Sequence, residues 1–324
     1  MTNQVLDRVE KDGAKLLEAL AEVHVQKIEF HEIPVKGYEK VLKVTNPSVG
    51  LTAVIAIHNT QLGPALGGTR IQPYTSFDAA LEDALRLAKG MTYKSAIAEI
   101  GLGGGKSVII ADPSTQKTPE LLISFGVAVE ALKGLYICAE DMGTTTEDVE
   151  TIRKATTYVV GLPHLNSSGN PAPFTAWGTF RGIQAVMKKV TQSDSLEGKK
   201  IAIQGLGSVG SVLAELLFWA GAELIVSDVN LERLNHISKK YGARAVSTDD
   251  IYSVECDVFS PCAGGAVIND DTLKQLRCKA IAGCANNQLL TDQHAIALDQ
   301  MGILYAPDFV INAGGLLNVG AELE

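Results

Sequence analysis

Apolar positions along the chain fall into two textures. In the first half, Phe77, Ala80, Leu81, Ala84, Leu85 and Leu87 recur at helical spacing behind Ser76, a residue suited to capping. They predict a helix over 76–87 that delivers the chain into the segment AKGMTYK. Val5, Val9, Leu16, Leu17 and Leu20 fit one helical face loosely, predicting an amphipathic helix within residues 4–22 that could contact a partner or another subunit. The β-branched runs YEKVLKV (38–44) and LTAVIAI (51–57) flank TNPSVG, whose Asn-Pro and Gly supply turn chemistry, and they read as a hairpin. A further helix is expected over PELLISFGVAVEALKG, ending at Gly134. The run LYICA then reads as a buried strand, and Thr144 with Glu147 has the capping-box pattern for a helix through Ala155.

After about residue 165 the Ser-, Gly- and Pro-dense text SSGNPAPFTA marks a junction between domains. Beyond it short apolar runs alternate with helical segments. KKIAIQG, AELIVSD, CDVFSP, KAIAGCA and GILYAP read as buried parallel strands, with helices at 208–220, 231–241, 272–277 and 292–301 between them. That alternation predicts an α/β fold with a doubly wound sheet in the second half. The expected domains are 1–165 and 166–324.

Composition excludes several classes. The 324 residues are 46% hydrophobic and 20% charged, the balance of a globular protein rather than a disordered one. A formal charge of −9 without a basic stripe argues against nucleic acid and anionic membrane as partners. No stretch approaches the length of a membrane span, and the N-terminal text lacks the continuous apolar core of a secretory signal. The five cysteines, odd in number and without a C-x-x-C pair, suggest buried thiols in a reducing compartment, neither a disulfide framework nor a zinc site. The expected location is the cytoplasm, and no metal is expected.

Three motifs carry chemistry. Gly205-Leu206-Gly207-Ser208-Val209-Gly210 follows the strand KKIAIQ and opens a helix, the context in which glycines let backbone approach a pyrophosphate at a helix N-terminus. Asp228 closes the next strand, where a carboxylate would accept from a ribose 2′-OH and repel a 2′-phosphate, favouring NAD over NADP. The second motif, Gly103-Gly104-Gly105-Lys106-Ser107, is not a phosphate-binding P-loop. Ile100 stands where its first glycine is required, and SVIIA reads as a strand rather than a helix. A glycine-rich approach to a lysine suits a small substrate held close to backbone. Desolvation and a second cation, for which Lys94 is the candidate, would lower the lysine toward general-base use. Most lysines, Lys89 included, are simply solvated. Third, Glu140 and Asp141 stand just past the strand LYICA, where functional side chains collect in α/β domains, although either could merely charge the next helix N-terminus.

Taken together, GPALGGTR (63–70), LEDALRLAKGMTYK (81–94), GLGGGKSVII (101–110), AEDMGTT (139–145), SSGNPAPFTAWG (167–178), SLEGKKIAIQGLGSVG (195–210), CDVFSPCAGGAVIN (256–269), GCANNQL (283–289) and YAPDFVINAGG (305–315) resemble the glutamate/leucine/phenylalanine/valine dehydrogenase family, and within it the leucine-type branch. The resemblance runs from about residue 38 to the end. It implies an N-terminal α/β domain for substrate binding and oligomerisation, followed by a Rossmann NAD-binding domain, and a symmetric homo-oligomer. By the same resemblance Lys94 binds the substrate α-carboxylate, Lys106 activates water and polarises the carbonyl, and Asp141 shuttles protons at nitrogen. Gly67 and Gly68 line the substrate site by backbone, Thr175 and Asn287 stand near the nicotinamide, and Cys262 and Ala263 stand beside the cofactor. The implied reaction converts an L-amino acid and NAD⁺ reversibly to a 2-oxo acid, ammonium and NADH, through an imine and a carbinolamine.

Positions that face the substrate side chain in this family correspond to Leu66, Ala139, Leu316 and Val319, all apolar here. No cation awaits a side-chain carboxylate, so glutamate is disfavoured and a branched aliphatic amino acid is expected. Leu316 and Val160 depart from the leucine-type text, and TRIQPY resembles a tryptophan-type branch, so an aromatic amino acid is the alternative. One methylene shifts selectivity by only about 1–3 kcal/mol. Another NAD-linked oxidoreductase, acting on a 2-hydroxy acid, would want a histidine acid/base, and none of the six histidines lies in these motifs. Family members continue into further helices past the NAGG segment, whereas this sequence stops at Glu324. A catalytically silent NAD-binding scaffold is therefore the competing reading from another class.

Overall fold

A computed structural model describes residues 27–162 and 170–321. The predicted helix within 4–22 and the junction near 165 lie outside the described residues. The chain divides into two compact units, one reaching residue 169 and joined by residues from Val319 onward, the other spanning Asn170–Asn318.

The first unit is built on β1 (Glu29–Glu32), β2 (Lys40–Asn46), β3 (Leu51–Asn59), β4 (Ala65–Gln72), α1 (Phe77–Ala98), β5 (Gly103–Ile110), α2 (Pro119–Glu130), β6 (Tyr136–Glu140) and α3 (Thr146–Arg153). Its strands form one mixed sheet in the order β1-β2-β3-β5-β4-β6. The hairpin β2–β3 pairs Lys40 with Ile57 through to Asn46 with Leu51, and Asn46 caps the turn between them. From β5 onward the pairing is parallel, β5 with β4 and β4 with β6. One face of the sheet packs Val44, Ile55, Ile71 and Ile109 on Leu121, Phe125 and Val149, while the other carries Val54, Ala56 and Val108 against Ala80, Ala84 and Ala88 of α1.

Two elements differ from the pattern-based expectation. Helix α1 continues eleven residues past the predicted end, through Gly90, because it stays packed on the sheet: a Cβ on Gly104 would lie 2.1 Å from the Thr92 nitrogen. Burial on that scale overrides the ~1 kcal/mol cost of a helical glycine. Helix α3 is capped by Thr145 with Asp148 as the box partner, one residue later than expected. Thr144 is used instead to accept from the Asp141 N–H at 2.8 Å and to donate to the Thr69 carbonyl at 3.0 Å.

The second unit runs α4 (Ala172–Thr191), β7 (Lys200–Gln204), α5 (Ser208–Trp219), β8 (Glu223–Ser227), α6 (Leu231–Tyr241), β9 (Arg244–Ala245), β10 (Cys256–Pro261), α7 (Asp270–Leu273), β11 (Cys278–Ile281), α8 (Gln293–Gln300), β12 (Leu304–Tyr305), α9 (Asp308–Ile311) and α10 (Gly314–Gly320), the last helix crossing the division between units. All pairings are parallel in the order β12-β11-β10-β7-β8-β9. The order reverses at β7, which puts a topological switch point at its C-terminal end. Helix α4 was hidden by the Pro- and Gly-rich text at its start. Pro171 and Pro173 suit a helix N-terminus, and Ala176, Phe180, Ile183 and Met187 then hold one buried face. The helix expected at 272–277 forms earlier, because Asn269 caps it and accepts from the Asp271 and Thr272 N–H groups.

Candidate active site

Strand alternation assembles the first group of side chains. Successive residues point to opposite faces, so Leu66, Gly68 and Arg70 on β4, Gly104, Lys106 and Val108 on β5, and Ile137 and Ala139 on β6 share the face that α1 covers. Gly68 lies opposite Ala139 in the register. Asp141 follows β6 directly. Lys106 Nζ donates to Asp141 Oδ2 at 2.7 Å, and Arg70 Nε donates to the same oxygen at 3.0 Å. Arg70 Nη1 also donates to Asp83 Oδ2 on α1 at 2.9 Å, and that oxygen accepts from the Tyr74 hydroxyl at 2.6 Å. The outcome is an alternating chain of charges, Lys106–Asp141–Arg70–Asp83, in which the Lys106 side chain is only 4% exposed.

Burial and charge decide the protonation states. Burial pulls the Lys106 ammonium below the ordinary lysine value; Asp141 opposes this and Arg70 reinforces it. Burial alone would raise the Asp141 carboxyl, but the Lys106 and Arg70 charges outweigh it and hold the group well below the usual carboxylate range. Asp141 is therefore an anion at neutral pH, while Lys106 loses its proton more readily than an exposed lysine would.

The glycines explain why this space is open. A Cβ on Gly68 would sit 2.8 Å from Asp141 Cβ and 3.1 Å from Lys106 Nζ, so any larger residue would intrude on the ion pair. On the opposite face the Tyr136 ring fills the space left by Gly105, and its hydroxyl donates to the Gly67 carbonyl at 2.7 Å. The run Gly103–Gly105 is thus a strand pressed between α1 and Tyr136, not a loop around a ligand. Lys94 is buried on α1, beside Ser95, whose hydroxyl donates to the Gly103 carbonyl at 3.0 Å. Leu66 is buried in β4, and Ala139 is half-buried at the end of β6.

The second unit presents its own constellation at the switch point. Gly205 leaves β7 with φ +96°, and a Cβ there would meet Ala263 at 2.7 Å. A Cβ on Gly210 would lie 2.1 Å from the Gly205 carbonyl oxygen and 3.4 Å from Cys262. Gly207 caps α5 with nothing within 4 Å of its missing side chain, so the backbone ahead of Ser208 and Val209 is approachable. Asp228 accepts from Leu206 N–H at 2.6 Å and from Asn230 N–H at 2.7 Å, so the acid also fastens the glycine turn. Gln204 Oε1 and Ser227 Oγ, at the ends of β7 and β8, are buried without a hydrogen-bond partner. This donor set fits a dinucleotide: an open helix N-terminus for the pyrophosphate and a carboxylate for a ribose. Thr175 lies in the first turn of α4, its hydroxyl donating to the Pro171 carbonyl. Asn287 is held at φ +52°, with its N–H donating to Asp308.

Sequence reading singled out Lys106, Asp141, Gly67, Gly68, Leu66 and Ala139, and β4, β5 and β6 bring them together in the first unit. Gly205 to Gly210, Asp228, Cys262 and Ala263 cluster in the second. Leu316 and Val319 are both buried on α10, with Val319 grouped with the first unit. Arg70, Asp83 and Tyr74 were missed. The one available signal was a charged residue two positions after Gly68, on the same strand face. Among the described residues no cluster of three or more His, Cys, Asp or Glu could hold a metal, and no helix is long and apolar enough to cross a membrane. All five cysteines are free.

Comparison with known proteins places this geometry in context. The profile of the Glu/Leu/Phe/Val dehydrogenase dimerisation domain matches residues 38–158, and that of the glutamate/leucine/phenylalanine/valine dehydrogenases matches residues 222–324. The leucine dehydrogenase of Bacillus subtilis is 54% identical over 287 residues, 88% of this chain and 79% of the relative. The phenylalanine dehydrogenase of Lysinibacillus sphaericus is 47% identical over 89% of the chain and 77% of its own length. The crystal structure of L-tryptophan dehydrogenase from Nostoc punctiforme superposes with a TM-score of 0.69 at 47% identity, over 87% of this chain and 81% of that one.

Proposed function

The chain belongs to the glutamate/leucine/phenylalanine/valine dehydrogenase family, an NAD(P)-dependent oxidoreductase acting on the CH–NH₂ group of apolar L-amino acids, and on that premise we propose that its preferred substrate is a branched aliphatic amino acid and its coenzyme NAD. The observation that carries the reading is the buried Lys106–Asp141 pair facing the gap at Gly68. Leu66 and Ala139 share that sheet face and offer no cation to a substrate carboxylate, which favours an apolar side chain. Asp228 favours NAD, since a 2′-phosphate would face its charge.

The chain's own residues then divide the work. Lys94 holds the substrate α-carboxylate. Lys106, with its proton affinity lowered by burial, takes a proton from the water that attacks the imine and releases it to solvent once the carbinolamine has collapsed. Asp141, ionised at rest, takes a proton from the substrate ammonium and returns it to the carbinolamine nitrogen, which departs with the hydroxyl proton as ammonium. The glycine turn and Asp228 would hold a nicotinamide dinucleotide, whose chemistry there would be that of a hydride acceptor for the substrate Cα. The family profile's dimerisation domain supports a homo-oligomer, and the five free thiols suit the reducing environment of a cytoplasm.

Reduced-nicotinamide absorbance tests the proposal, with L-Leu, L-Ile, L-Val, L-Phe, L-Trp and L-Glu each offered with NAD⁺ and with NADP⁺. Turnover greatest on the branched substrates, and confined to NAD⁺, is the expected result. Activity greatest on Phe or Trp would keep the mechanism and overturn the side-chain assignment, a second reading that the 47%-identical aromatic relatives make concrete. Silence with all six, in a protein that still binds NADH, would favour a silent scaffold.

A further inference from the structure

Arg70 occupies a place that neither the lysine nor the aspartate explains. It stands on β4 two residues after Gly68, only 12% exposed, and its guanidinium bridges Asp141 on one side and Asp83 on the other. The Asp141 oxygen that takes Arg70 Nε at 3.0 Å is the one that takes Lys106 Nζ at 2.7 Å. A buried lysine and aspartate left to themselves can escape the cost of two desolvated charges by passing the proton between them, ending as neutral amine and neutral acid. A guanidinium keeps its charge throughout the working range. Beside the shared oxygen it favours the carboxylate and disfavours the ammonium at once.

We propose that Arg70 is a positioning residue for the amine chemistry: it holds Asp141 as an oriented anion whatever proton Lys106 carries, so that Lys106 exchanges its proton with the substrate rather than with Asp141. The inference rests on the reading given under Proposed function. The other groups facing this pair set the background. Asp83 on α1 counters Arg70 in its effect on Lys106, and Tyr74, bonded to Asp83, is raised far above the ordinary phenol by burial and that carboxylate. Glu140 closes β6 and is itself pushed up, chiefly by burial; Tyr136 stays neutral beneath the sheet; and α1, which covers this face, also carries the buried Lys94.

The signs follow from the charges. Removing the Arg70 charge leaves the state with neutral Lys106 and ionised Asp141 less stable, so Lys106 keeps its proton to higher pH. In Arg70→Met the acidic limb of the kcat/KM profile should move up by about one pH unit or more, a roughly tenfold loss below the limb that is regained in alkali. Arg70→Lys retains the charge and should leave the limb in place with a pH-independent loss. Asp83→Asn, at a partly exposed site, should move the limb down. Carbon-13 titration of lysine ε-carbons in the ligand-free protein reads the same shifts without turnover, and NADH binding checks that the variants are folded.

A limb in Arg70→Met that superposes on the wild-type limb, beneath a uniform loss, overturns the proposal. If Arg70→Met does not fold, Asp83→Asn decides: a downward shift supports it, and no shift or an upward one overturns it. Wild-type protein that reduces no nicotinamide with any amino acid removes the enzymatic reading and this role with it. An active wild type with an unmoved Arg70→Met limb removes the role of Arg70 alone.

Discussion

Gly68→Ala adds a single carbon at the most confined point of the candidate site. The new Cβ would lie 2.8 Å from Asp141 Cβ, 2.8 Å from the Glu140 carbonyl oxygen and 3.1 Å from Lys106 Nζ. Carbon atoms rest about 3.5–4.0 Å apart, so Asp141 Cβ must retreat by about 0.7 Å or more. Two of the three contacts are backbone or the first atom of a side chain, so the end of β6 itself has to move. A retreat of about 0.7 Å along the ion-pair axis would stretch the 2.7 Å Lys106–Asp141 bond to roughly 3.4 Å, beyond useful hydrogen-bond length. Overpacking of this kind costs about 1–3 kcal/mol, and at about 2–4 °C per kcal/mol for domains of this size Tm should fall by a few degrees. A misplacement approaching 1 Å in a catalytic group costs on the order of a hundredfold in rate. The assay is kcat on a branched L-amino acid at saturating coenzyme, with Tm and NADH affinity measured in parallel. The account expects a large loss of kcat, a small loss of Tm and unchanged NADH affinity. Wild-type kcat in a variant of normal stability would show that Gly68 does not border the reacting groups.

Other perturbations follow from the same geometry. Asp141 has a folded carboxyl value below its unfolded value of 3.8, so its stabilisation is full above the unfolded value and is lost as pH falls through the folded one. Thermal melts of Asp141→Asn should therefore show a shallower decline of Tm below about pH 4 than wild type. Lys106 carries the same sign in alkali: a base whose folded value is depressed below 10.5 makes stability rise with pH between the two values, a rise that Lys106→Met should abolish. Asp228→Ser removes the charge that would face a 2′-phosphate and the acceptor of the Leu206 N–H, and should raise the NADP⁺/NAD⁺ ratio of kcat/KM while weakening NADH binding. Gly210→Ala places a Cβ 2.1 Å from the Gly205 carbonyl oxygen and should abolish NADH binding, measured by fluorescence titration, without disturbing the Lys106–Asp141 unit.

Much of this architecture was legible because its signals are local. The strand-turn-helix around Gly205 and the acid at Asp228 announce themselves within one βαβ unit, and the helix 231–241 was read to the residue because Asn230 caps it and Gly242 ends it. Lys106 and Asp141 were legible as motif residues. Their contact was not, because it arises from β5 and β6 both flanking β4, a pairing that no local pattern states. Arg70 escaped for the same reason: a charge on a half-buried strand looks solvated until the carboxylates of α1 and of the loop after β6 are brought to it. Helix α4 escaped because Gly and Pro at its start carry the same letters as a loop, although Ala176, Phe180, Ile183 and Met187 kept helical spacing. The end of α1 was misjudged because Gly90 stops a helix only where packing does not hold it.

The central claim is that Lys106 is the base of an amino acid dehydrogenase. Its most direct test is Lys106→Ala, assayed for amino-acid-dependent NADH formation beside a titration of NADH binding. The account predicts a fall in kcat on the order of a hundredfold to ten-thousandfold with the NADH affinity of the second unit unchanged. Equal loss of turnover and of NADH binding, or turnover preserved without the amine, would contradict it.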